Sequence, residues 1–78
     1  MVTQQEIIEE IAQHLGVTVA DIDPQASLKD DLGLGPIEIA DLLNYLSSTY
    51  EITFGPEETE GITIVNDLVV VIEDLLLE

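Results

Sequence analysis

The sequence contains no cysteine and no tryptophan, and one lysine is its only fixed positive charge. Without cysteine there can be neither disulfides nor thiolate metal sites, and nothing points to an oxidising compartment. The first ten residues, MVTQQEIIEE, have neither the basic segment nor the apolar stretch that directs secretion. Long apolar runs are missing too. The longest, Leu68–Ile72, falls far short of the about 20 residues needed to span a bilayer. A cytoplasmic protein with no membrane segment is the expectation.

With cations nearly absent, the 17 acidic residues give a formal net charge of −16, spread along the whole chain. Such a surface repels nucleic acid and anionic membranes, and it draws in basic-surfaced protein partners instead. Very acidic chains are often disordered, but 46% hydrophobic residues supplies material for a core. At 78 residues, the expectation is a single domain, 1–78, with a small core.

Four helical stretches can be read from the pattern. The first runs from about Gln4 to Leu15. Thr3 and Glu6 have capping-box spacing, Ile7, Ile11 and Leu15 form an apolar stripe with Ile8 and Ala12 beside it, and Gly16 supplies a left-handed stop. His14 falls in the last turn, where positive charge suits the helix dipole, and no second histidine exists to share a metal. A long connection, Val17 to Gly35, carries Val19, Ile22, Leu28, Leu32 and Leu34 as apolar anchors, which favours an ordered segment.

The second helix starts at Pro36, a residue suited to a first helical position, and ends near Tyr50. Ile37, Ala40, Leu43, Leu46 and Tyr50 are its expected buried stripe, and Glu38, Asp41, Tyr45 and Ser48 share another face. A short third helix opens at Pro56 with Glu57 and Glu58 in its first turn and stops at Gly61. The fourth follows Thr63, with Val65, Leu68, Val69, Ile72 and Leu76 as its core stripe. Val69–Val71 would also suit a strand, but Glu73 and Asp74 sit side by side and no second strand is available to pair. Val71 and Leu75 fall outside the core stripe and mark a possible apolar contact surface, through which the last helix could self-associate. The fold class expected is all-α: a small four-helix bundle with three longer helices and a short third one.

The segment Asp30-Asp31-Leu32-Gly33-Leu34-Gly35-Pro36-Ile37-Glu38 resembles the signature of acyl and peptidyl carrier proteins, in which an Asp-Leu-Gly turn leads into Asp-Ser-Leu at the start of the second helix. Ser27-Leu28, Leu42, Leu43, Leu46, Glu57-Glu58 and Ile62-Thr63 fit the same pattern in register. The resemblance implies that the family's serine, which receives a phosphopantetheine arm through its hydroxyl, corresponds to Pro36, and the preceding aspartate to Gly35. Proline offers no nucleophile, so no phosphopantetheine and no other cofactor is expected.

The resemblance also implies that acidic residues of the second helix meet basic partners such as fatty acid or polyketide-type enzymes. Glu38 and Asp41 match those positions, with Tyr45 on the same face. The chain is thus expected to be a non-enzymatic binding module with no catalytic residues. The alternative is a working carrier that uses another residue for attachment, or that holds acyl groups non-covalently. Ser27, Ser47 and Ser48 are the serines available, and none is followed by an acidic recognition helix. The carboxylate pairs Asp30/Asp31 and Glu57/Glu58 lack the spacing of a calcium loop, so no metal site is expected.

Overall fold

Gln4–Leu15 forms helix α1, opened and closed by the residues that the sequence suggests. Thr3 is extended and its Oγ1 accepts the Glu6 N–H at 3.2 Å, while Gly16 ends the helix at φ 76°, in the left-handed region. The computed structural model describes residues 2–77, and Pro36–Tyr50 (α2), Pro56–Glu60 (α3) and Val65–Leu76 (α4) follow in order. Four helices and no strand are present among the described residues, as the pattern predicts. The Val69–Val71 triplet is helical.

The long connection is ordered because its backbone serves the start of α4. The first N–H groups of any helix lack intrahelical acceptors. Here the N–H of Val65 donates to the Ala26 carbonyl at 3.0 Å and that of Asn66 to the Pro24 carbonyl at 2.8 Å, while the Leu28 N–H donates to the Thr63 carbonyl at 3.0 Å. The Asp67 carboxylate reaches back to accept from Thr63 and Ile64 at 3.1 and 3.2 Å. Ile22 and Leu28 are buried and Leu32 and Leu34 pack on the core. Val19 departs from its expected role as an anchor. It starts a 3-10 turn, Val19–Asp21, and stays exposed.

The core lies where α1 packs against both α2 and α4. Ile7 and Ile11 of α1, Leu42 and Leu46 of α2, and Val65, Leu68, Val69 and Ile72 of α4 are shut off from solvent. The phase of α2 differs from the one expected. Ile37 and Ala40 are exposed, and the inward face is Ile39, Leu42, Leu43, Leu46 and Tyr50. Both phasings share Leu43, Leu46 and Tyr50, and only the partner helix decides between them. At the end of α4, Leu76 is exposed rather than in the core stripe.

A candidate docking site at the start of the second helix

Two glycines build the approach to α2. Gly33 holds φ at 69°, a left-handed conformation that costs a residue with a Cβ about 1–2 kcal/mol. Gly35 is the extended residue before the helix and Pro36 its first helical residue. The residue before a proline is pushed toward extended backbone, and a first-turn proline forfeits an N–H that would lack an intrahelical acceptor anyway. The chain therefore enters α2 cleanly without a polar side chain at its cap. A Cβ on Gly35 would come within 2.9 Å of Glu38 Oε2, so the Glu38 carboxylate lies folded over the helix start. Gly55-Pro56-Glu57-Glu58 repeats the arrangement at α3, where a Cβ on Gly55 would meet Glu58 Oε2 at 3.0 Å.

Glu38 and Asp41 do come together, in a cleft of about 450 Å³ lined also by His14, Leu15, Leu34 and Ile37. Ile37 is the residue that sequence reasoning misplaced. Its side chain is 83% exposed, on the rim of an acidic cleft. Its position directly after the helix start, where a side chain has little of the bundle to face, was the signal available for its exposure.

His14 and Tyr45 carry more than the sequence suggested. His14 Nε2 lies 2.8 Å from Asp41 Oδ2; an ionised carboxylate can only accept, so the imidazole N–H donates. The imidazole stacks on the Tyr45 ring, with centroids 4.4 Å apart and planes 17° from parallel, and the Tyr45 hydroxyl donates to Glu10 at 2.9 Å. Tyr45 is half-buried and belongs to the seam between α1 and α2, not to the open face on which it was expected. The Glu10 carboxylate that accepts its hydrogen bond, together with partial burial, raises the Tyr45 pKa above its usual value. Tyr50 is raised as well, by burial first and then by the charges of Glu10 and Glu6. Asp41 remains 70% exposed beyond its contact with His14.

The neighbouring serine hydroxyls have structural work. Ser27 Oγ accepts the Asp30 N–H at 3.1 Å, and Asp31 Oδ2 accepts the Ser27 N–H at 2.7 Å, which closes the turn before Gly33. Ser47 Oγ donates to the Ile52 carbonyl beyond the end of α2. Ser48 is exposed, near the far end of α2. Val71 and Leu75 lie apart from this site, half-buried in a groove between α3 and α4. No cluster of metal-ligating side chains occurs among the described residues, and no described helix is long and apolar enough to cross a membrane.

Comparison with known proteins places these features in a family. The family described as the phosphopantetheine attachment site matches residues 5–71. An acyl carrier protein from an Exiguobacterium species is 34% identical over 71 residues, which span 91% of this chain and 90% of the relative.

Proposed function

The chain belongs to the acyl carrier protein family, whose shared feature is a phosphopantetheine attachment site, and on that premise we propose that it is a binding module with the carrier fold that bears no arm. Proteins of this family are carriers and not enzymes, so the function to be explained is recognition. The observation that carries the reading is the conjunction at the start of α2: Pro36 occupies the first helical position, and Ile37 stands 83% exposed beside Glu38 and Asp41. Attachment needs a hydroxyl at that position, and a pyrrolidine ring has none. The side chains there do not fit the group. Of the three serines in the sequence, Ser27 Oγ accepts a hydrogen bond within a turn, Ser47 Oγ donates at the end of α2, and the exposed Ser48 lies near the far end of α2, away from the helix start.

What the region retains is a means of being bound. An apolar side chain at a helix start, flanked by two carboxylates, offers a partner one anchor and two ion pairs. Exposed pairs of this kind contribute little individually. A net charge of −16 nevertheless steers a basic surface toward the cleft over a long range. The partners are proteins with basic surfaces, of the fatty acid or polyketide-synthesising type that work with carriers. Glu38, Asp41 and Ile37 make the contact, while Tyr45 and His14 hold α2 against α1.

The double substitution Gly35→Asp, Pro36→Ser tests whether recognition has outlived chemistry. Aspartate is a good cap residue, and the atom in its way is the mobile end of Glu38, which can swing aside. The variant is expected to fold and to accept a phosphopantetheine arm from coenzyme A through a broad-specificity transferase. A folded variant that stays unmodified would count against a persisting carrier-type docking surface.

A further inference from the structure

A second surface lies away from the start of α2. Helices α3 and α4 enclose a groove of about 360 Å³ lined by Glu57, Glu58, Val71, Asp74 and Leu75. Val71 and Leu75 are one helical turn apart on α4, so they share a face and form a continuous apolar floor. Both are half-buried, yet neither is among the side chains that pack against the core of the bundle. Glu57 and Glu58 stand in the first turn of α3 above that floor, and Asp74 stands beside it on α4. Glu58 is half-buried and its carboxylate lies folded back over Gly55.

An apolar floor under a carboxylate rim restricts what can occupy it. A second copy of the chain is a poor occupant. A symmetric contact would bring the same three carboxylates of each copy together, and each copy carries −16 with one lysine to offset it. A neutral apolar segment would desolvate the rim without pairing it. Lysine and arginine satisfy both parts, because their aliphatic stems lie along apolar surface while the charged heads reach the carboxylates.

We propose that the α3–α4 groove docks a cationic amphipathic segment of a partner protein, an apolar side chain resting on Val71 and Leu75 and lysine or arginine side chains meeting Glu57, Glu58 and Asp74. This surface is separate from the cleft at Ile37, and a partner could engage either one alone.

The test uses the full chain, isotopically labelled for nuclear magnetic resonance and titrated at near-physiological salt. The probe is a synthetic leucine–lysine peptide with one apolar helical face, and the control is a scrambled peptide of the same composition without such a face. Saturable shifts confined to residues 57–61 and 70–75, with the scrambled peptide weaker, are expected. The pairs Glu57→Gln, Glu58→Gln and Val71→Ser, Leu75→Ser should each weaken the amphipathic peptide about tenfold. Removing two charges elsewhere, with Glu6→Gln and Glu9→Gln, should leave its affinity nearly unchanged. Circular dichroism checks each fold, and if the serine pair unfolds, the glutamine pair and the shift map decide. Equal weakening by the α1 pair would overturn the proposal in favour of bulk charge. Shifts centred on residues 34–41, or a dimer of the free protein that the serine pair dissolves, would overturn it as well.

Discussion

The imidazole of His14 on α1 donates through Nε2 to the Asp41 carboxylate on α2 across 2.8 Å, joining residues 27 positions apart in the chain. The same ring lies flat against Tyr45, whose hydroxyl reaches back to Glu10 on α1. Two polar contacts and one stack thus fasten α2 to α1 along one seam. The rotation of α2 that brings these groups together also packs Leu42 and Leu46 into the core and leaves Ile37 outward.

The tyrosines of this seam predict an alkaline transition. Both have pKa values raised in the fold, Tyr45 chiefly by its bond to Glu10 and Tyr50 chiefly by burial. The folded state therefore keeps the phenol protonated to higher pH than the unfolded chain does. Their contribution is complete below about pH 10, the ordinary tyrosine value, and is lost as pH rises through the higher values held in the fold. Ultraviolet titration should show both phenols ionising late in the native protein and at the ordinary value in denaturant. Glu10→Gln should bring the Tyr45 transition down.

The rotation of α2 has its own test in a pair of alanine substitutions. Leu42 is fully buried, so Leu42→Ala should destabilise by about 2–5 kcal/mol, a large part of the total for a domain this size. Ile37→Ala should change stability by less than about 0.5 kcal/mol, since its side chain is in solvent. Urea midpoints measure both. A larger loss for Ile37→Ala than for Leu42→Ala would mean that α2 is turned the other way.

That contrast also shows what the sequence could convey. Helix α1 was legible to its ends because Thr3, Gly16 and a four-residue isoleucine repeat act locally. Pro36 and Pro56 likewise marked the starts of α2 and α3. The phase of α2 was not legible, because Ile37, Ile39, Leu42 and Leu43 allow two stripes and packing against α1, far along the chain, selects one. Glu38 and Asp41 were visible as site residues through the resemblance to carrier proteins, but the exposed Ile37 between the helix start and Glu38 was hidden by the wrong stripe. In α4 the run Val69–Val71 goes from buried to exposed to half-buried, which no reading of identical side chains can separate.

Glu51 predicts a stabilising change. It ends α2 at φ 54° and ψ 47°, a left-handed position usually taken by glycine. Glu51→Gly removes the Cβ strain and one negative charge from a strongly acidic molecule. The added freedom of glycine in the unfolded chain offsets part of the gain. A net stabilisation of about 0.5–1 kcal/mol is expected, visible as a higher melting temperature.

Charge density itself should be felt as salt dependence. With 17 acidic residues and one lysine, repulsion opposes the folded state, and added ions screen it. Melting temperature should climb from low to about 0.15 M sodium chloride, and more steeply with millimolar magnesium or calcium. A flat response would mean that the carboxylates are spaced to avoid one another.

The central claim, a carrier fold without a carried group, meets its most direct test in the intact mass of the unaltered protein. The protein purified from its own cells, and again after incubation with coenzyme A and a broad-specificity phosphopantetheinyl transferase, should in both cases weigh what its sequence dictates. A gain of one phosphopantetheine, whether on Ser27, Ser47, Ser48 or any other residue, would contradict the account and make the chain a working carrier.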